Sequence, residues 1–289
     1  MAESANNPAP PTDGNFDHQI TASLTHLSLG KAKSKFVRTS SIPVLPNGVW
    51  TPETVLKTLD ERPKENTSSP IPFFHLLERL KTNKREGWRR FEILTGESIS
   101  DHMYRMAIIT MVAPASLTST LDMNKCTRMA LVHDMAELLV GDITPADGVE
   151  KDEKHRRERL SMDFLTKKML GGVDAGVRGE ELSKLWWEYE KAETKESVFV
   201  HDVDKLELLL QMMEYERSHP EKDLSEFLYV ATKVQTPELR EWCKELAEEH
   251  RLAWEKKGRK SWQVLTPDLE LVKDLKLKAT LEYYKKEEE

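Results

Sequence analysis

The chain has 289 residues, 32% of them charged, and Asp plus Glu (50) outnumber Lys plus Arg (43). A net charge of −7 argues against a protein that wraps nucleic-acid polymer, while leaving room for a local basic pocket. Cys126 and Cys243 are too few for a disulfide framework or a thiolate zinc site and suit a reducing compartment. The longest near-apolar run, 106–115, is too short for a bilayer, and the first 30 residues hold neither an apolar signal core nor a Lys or Arg. The expectation is an intracellular protein, cytoplasmic or nuclear, with no membrane partner.

Along the chain, residues 1–48 are rich in Ser, Thr, Asn, Pro and Gly and read as a disordered tail, with a weak helix near LTHLSLG. TPETVLKTLDERP (51–63) predicts a short helix opened by Thr51 with Pro52 at its first position, and PKENTSSP (63–70) a linker, so 49–70 is a short helix and linker. From 71 onward helical periodicity dominates, with candidate helices at 71–82, 99–113, 123–140, 152–169, 179–190, 193–217, 222–233, 236–257 and 266–285. The clearest is 193–217, where Val198, Val200, Val203, Leu206, Leu208, Leu209, Leu210, Met212 and Met213 mark a wide apolar face. RFEILTGES (90–98) reads as a loop or short turn and ITPADGVEKDEK (143–154) as a polar loop. No strand of convincing alternation appears. The fold class is all-α: a helical domain over 71–257 and a C-terminal helical extension over 258–289.

Several ionisable residues interrupt these apolar helices, although burying an unpaired charge costs several kcal/mol in round terms. In ALVHDMAELLVGD (130–142), His133, Asp134 and Glu137 sit inside the apolar run and Asp142 follows Gly141. His102 follows Asp101 in SISDHMYRMAIITMV, and Asp204 lies in FVHDVDKLELLL. Successive helical residues point about 100° apart, so His133 and Asp134 flank one edge of their helix, and Glu137 stands one turn from His133 on the same face. If the helices carrying His102 and Asp204 pack beside them, two imidazoles and two carboxylates converge. Such a set suits a divalent first-row metal and leaves positions open for water. Asp202 is a rival to Asp204, although Val203 and Leu206 favour the latter.

This succession of H, HD and D on separate helices resembles the HD superfamily of metal-dependent phosphohydrolases, and more closely its 5′-deoxynucleotidase branch. The resemblance runs over about 74–216 and rests on ESISDHMYRMA, LVHDMAELLVGDITPAD, EKHRRE and the late aspartate helix. It implies an HD-domain helical bundle in which His102, His133, Asp134 and Asp204 are metal ligands. Glu137 is then the catalytic carboxylate that handles the proton of the attacking water. Asp142 corresponds to a substrate-site acid near the sugar or a second ion. Trp88 matches an aromatic packed on the deoxyribose, unless it is simply a core residue. Where bacterial members carry an arginine before that tryptophan, this chain has Gly87; Arg85, Arg89 and Arg90 are the alternatives for the phosphate, and Arg85 is favoured. The implied activity is hydrolysis of deoxyribonucleoside 5′-monophosphates. The cofactor is a divalent cation, Mn²⁺ or Co²⁺ ahead of Mg²⁺ or Zn²⁺, and the chain is expected to form a homodimer. His155 reads as a solvated helix face, and His201, His219 and His250 as structural. The rivals are a deoxynucleoside triphosphohydrolase, which needs a larger basic pocket, and a non-catalytic metal-stabilised helical binding module.

Overall fold

The computed structural model describes residues 49–144 and 147–259. The expected tail, the weak helix near LTHLSLG and the helix at 266–285 lie outside these residues. Among the described residues there are eleven α-helices and no strand, in keeping with the all-α expectation. They are α1 (Pro52–Leu56), α2 (Ile71–Leu76), α3 (Glu78–Thr82), α4 (Ile99–Met111), α5 (Ala115–Thr118), α6 (Met123–Ala130), α7 (Glu137–Val140), α8 (Lys151–Asp163), α9 (Val177–Lys191), α10 (Lys195–Ser218) and α11 (Pro237–Lys256).

Local chemistry starts the helices that carry the site. Ser98 and Asp101 form a reciprocal capping box at the start of α4, Asp122 accepts from the Lys125 amide at the start of α6, and Thr194 with Ser197 opens α10. Each cap satisfies an amide that would otherwise lack a partner, worth about 1 kcal/mol. Thr51 caps α1 with Pro52 at the first position, as its sequence predicts.

The predicted helix at 123–140 is broken. α6 ends at Ala130, residues 131–136 form turns, and only 137–140 resume as α7. The amide of His133 still reaches back four residues to Met129 O (2.9 Å), whereas those of Glu137 and Leu138 reach back only three, to Asp134 O (3.0 Å) and Met135 O (3.2 Å). This tightening changes the angle between successive side chains, so the single-helix geometry expected for His133, Asp134 and Glu137 does not apply. Elsewhere, 71–82 divides into α2 and α3, and 222–233 is a 3-10 helix over Ser225–Lys233. A 3-10 turn, Glu86–Phe91, lies between Lys84 and Ser98, which pair in one antiparallel bridge.

The buried apolar residues form two clusters. One joins Met106 and Ile109 of α4, Cys126 and Met129 of α6, Val203 to Met212 of α10, and Leu239 and Cys243 of α11. The other joins Val55, Phe73, Leu80, Ile99, Met103, Leu138, Leu139, Met162 and Trp186. Each large side chain so buried contributes about 1.5–3 kcal/mol. α4 supplies both clusters, with His102 between Ile99 and Met106. The stretch around His133 does the same, with Met129 in the first cluster and Val132 in the second. Both histidines therefore lie on the seam between the two clusters. Among the described residues no helix is long and apolar enough to cross a membrane.

Candidate metal centre and active site

His102 is fully buried on α4, and its Nδ1 lies 2.5 Å from Glu207 Oε2. His133 is 3% exposed, and its Nδ1 lies 3.0 Å from the carbonyl of Ala130. A carbonyl or carboxylate accepts, so each Nδ1 carries the hydrogen that it donates. Each Nε2 is left to face inward, buried and with no hydrogen-bond partner. Asp204 Oδ1 stands 3.2 Å from His102 Nε2, and Asp134 Oδ2 stands 3.1 Å from His133 Nε2 and 3.8 Å from His102 Nε2. These are ion-pair distances without hydrogen-bond alignment. Ligand atoms of His102, His133 and Asp204 all lie within 4.8 Å of one another. Asp134 joins them through its contacts with both imidazoles.

Asp202, two residues from Asp204 on α10, faces elsewhere. It accepts from the Gln235 and Thr236 amides (2.9 and 2.7 Å), from the Thr236 hydroxyl (2.7 Å) and from Lys205 Nζ (3.2 Å). Its acceptors are fully employed in seating the start of α11.

Two orphaned, buried ring nitrogens beside two carboxylates form a costly arrangement, about 1–3 kcal/mol for each unmet group. Mixed imidazole and carboxylate donors are what a divalent first-row cation takes. The residues present therefore fit a metal ion. Without one, a proton is the substitute. Burial and Arg85 push the His102 imidazole down, but Asp204 and Glu207 outweigh them and raise its pKa to about 9. Against the effect of burial, His133 and Arg85 hold the Asp134 carboxyl far below the usual range, and His102 does the same for Asp204. A cation entering such a cluster displaces the proton.

Glu137, 3% exposed at the start of α7, has one carboxylate oxygen with no hydrogen-bond partner. Burial, with Asp134 and Asp142 nearby, raises its pKa well above the carboxylate range. Asp142 follows Gly141, whose φ of 80° and ψ of 165° suit glycine almost alone. The Asp142 carboxylate accepts from the Glu86 amide at 2.6 Å, which ties it to the residue after Arg85. Arg85 in turn reaches Asp134 Oδ2 at 3.1 Å. Arg89 bonds to Glu86 at 2.6 Å and Arg90 lies over the Phe91 ring at 4.8 Å, so of the three arginines considered, Arg85 is the one placed at the centre.

Trp88 requires a correction. It is 1% exposed, packed on Tyr215 and Phe227 with ring centroids 5.2 and 4.8 Å away, and its indole N–H donates to Glu97 at 2.6 Å. The 3-10 turn rolls the indole into the core, so it presents no face to a sugar in this conformation.

Sequence reasoning missed three neighbours. Glu207 orients His102 and is held by Arg105 at 2.6 Å. Tyr189 on α9 packs its ring 4.9 Å from that of His133, and its hydroxyl lies 3.5 Å from Asp204 Oδ2. Lys154 on α8 donates to the Ile143 carbonyl at 2.9 Å. Glu207 had a signal: an acid within the apolar LELLL, three residues after Asp204. Four further described histidines lie apart from this cluster. His155 meets Glu190 at 3.2 Å beside Trp186 and Trp187, His201 bonds to Tyr189 O at 2.9 Å, His219 to Tyr215 O at 3.3 Å, and His250 to Glu216 at 2.8 Å.

The HD domain family model matches residues 77–246, a span that contains Arg85, the two imidazoles and every carboxylate just described. The chain belongs to the HD domain family. Among HD domain relatives, it is 42% identical over 187 residues to a Schizosaccharomyces pombe protein named 5′-deoxynucleotidase hdd1, covering 64% of this chain and 92% of that one. It is 40% identical over 183 residues to Homo sapiens 5′-deoxynucleotidase HDDC2, covering 63% and 86% respectively. Of solved structures, a protein from Pyrococcus horikoshii OT3 superposes with a TM-score of 0.50 at 31% identity, over 63% of this chain and 99% of that one.

Proposed function

We propose that the chain hydrolyses deoxyribonucleoside 5′-monophosphates to the deoxyribonucleoside and inorganic phosphate. The observation that carries this reading is the convergence of two buried, unpartnered imidazole Nε2 atoms with Asp134 and Asp204, beside Glu137 and Arg85. The names of its HD domain relatives support the substrate class.

Phosphate-monoester hydrolysis is among the slowest uncatalysed reactions, so the site must lower a very large barrier. His102, His133, Asp134 and Asp204 would hold the divalent ion, and the two-nitrogen, two-oxygen set favours Mn²⁺ or Co²⁺ over the oxygen-seeking Mg²⁺. When bound, such an ion supplies a water of lowered pKa and offsets charge on the phosphoryl oxygens. Arg85 holds the substrate's phosphate, its planar fork offering donors beyond the one that Asp134 takes. Glu137 moves the proton: its carboxylate can take it from the attacking water and return it to the departing 5′-oxygen. Glu207 and Tyr189 keep His102 and Asp204 in register for that work.

The test is a phosphate-release screen of dAMP against AMP, with and without each divalent metal. Release from dAMP that requires an added cation and outpaces release from AMP is the expected result. No phosphate from either under any metal, or triphosphate released from dATP instead, would contradict the proposal.

A further inference from the structure

The stretch that carries Glu137 and Asp142 cannot hold its own shape. α7 has only four residues, far too few for a helix to persist unaided, and it runs into a turn that begins at the left-handed Gly141. What fastens it is a set of side chains from elsewhere, each donating to one of its carbonyls. Ser161 of α8 donates to Ala136 O at 2.7 Å, Asn83 to Glu137 O at 2.9 Å, Arg79 of α3 to Leu138 O at 2.5 Å, and Lys154 of α8 to Ile143 O at 2.9 Å.

Resting on the proposed hydrolysis, we infer that Lys154 is a positioning residue of this site: its ammonium clamps residues 141–144 and so sets Asp142 and Glu137 against the imidazole cluster. Its place among the four fasteners is distinct. It lies nearest in sequence to the turn it holds, and it brings a charge to a place where Asp134, Glu137 and Asp142 crowd together. The cations that oppose Glu137 and Asp142 there are Arg85 and Lys154. Arg85 is engaged by Asp134, whereas Lys154 ties directly to the carbonyl after Asp142. Lys154 is itself steered by Glu158, one turn along α8, whose Oε1 lies 3.6 Å from Nζ. Removing the ammonium frees the Ile143 carbonyl and leaves the carboxylates to repel one another. The turn then relaxes, and Glu137 moves away from the reacting atoms. Small misplacements of this kind cost about 10- to 100-fold in rate.

The test uses the full chain and the variants Lys154→Met, Lys154→Arg and Glu158→Gln, with kcat and KM for dAMP, melting temperature, and hydrogen exchange of the 141–144 amides. Lys154→Met is expected to lower kcat about 10- to 100-fold with KM within about twofold of wild type, and to speed exchange at 141–144. Lys154→Arg should restore most of the rate. Glu158→Gln should lose less, and should add little to Lys154→Met because it acts through the same ammonium. An unchanged kcat in Lys154→Met overturns the inference. So does a loss that falls on KM, which would make Lys154 a phosphate contact, or a loss that tracks the melting temperature with no rescue by Arg. If wild type releases no phosphate the hydrolase reading fails separately, and the exchange measurement still decides whether Lys154 holds the turn.

Discussion

α10 takes part in two buried clusters of acids and imidazoles, and they are built to opposite plans. Near its C-terminal end Glu216, 4% exposed, accepts from the Leu224 amide at 2.7 Å and from His250 Nε2 and Trp254 Nε1 at 2.8 Å each. Donors from three places meet one carboxylate, and the result pins α11 and the 3-10 segment to α10. In its middle, Asp204 and Glu207 serve His102 and its neighbours differently. There, outside partners hold the rings: Glu207 and the Ala130 carbonyl occupy each Nδ1, leaving both Nε2 atoms aimed at Asp134 and Asp204 without a hydrogen bond. His250 also leaves one nitrogen unmet, but it belongs to no group of converging ligand-type side chains among the described residues. Burial of histidine beside a carboxylate is common to both clusters. Whether the lone pairs are consumed or left converging is what separates packing from chemistry.

Substitutions should divide the two clusters cleanly. His133→Ala or Asp134→Ala is expected to abolish phosphate release while leaving a folded protein by circular dichroism; retained turnover in either would place the chemistry elsewhere. Glu137→Ala should cut kcat by about 10²- to 10⁴-fold while metal binding, followed by calorimetry, stays intact. Glu216→Ala reverses the pattern, costing about 3–5 kcal/mol in denaturant unfolding with turnover per folded molecule unchanged.

Metal removal gives a smaller effect confined to the middle cluster. A cation present at about 100 times its dissociation constant stabilises by about 2.7 kcal/mol, so chelation should lower the melting temperature of wild type and of Glu216→Gln but not of His102→Ala. A further effect in the middle cluster concerns pH. The folded pKa of His102, about 9, lies above its ordinary value of 6.5. The stability it contributes to the metal-free protein is therefore fully present below about 6.5 and fades as pH rises through about 9. Adding the cation should flatten that slope, because the ion takes the proton's place. An identical slope with and without metal would mean that the imidazole is not a ligand.

Much of this was legible in the sequence because ionisable residues inside apolar helices are costly enough to need a reason. That argument found His102, His133, Asp134, Glu137 and Asp204, which the fold draws from α4, α10 and the stretch between α6 and α8. It could not reveal the break at 131–136, since the apolar pattern continues through it and only the change from four-residue to three-residue hydrogen bonds marks it. Tyr189 and Lys154 were missed for another reason: their roles come from partners brought close by packing, and neither residue type is unusual where it stands. Trp88 shows the converse. A residue matched from sequence to a sugar-contacting aromatic has its indole facing Tyr215 and Phe227 instead.

The most direct measurement is an anomalous difference map from crystals of the full chain grown with Mn²⁺. The account requires a peak in contact with Nε2 of both His102 and His133 and with the carboxylates of Asp134 and Asp204. A peak confined to His155, Glu158 and Glu190, the other group of ligand-type side chains within 4.8 Å of one another among the described residues, or no peak at the paired imidazoles under saturating Mn²⁺, would contradict it.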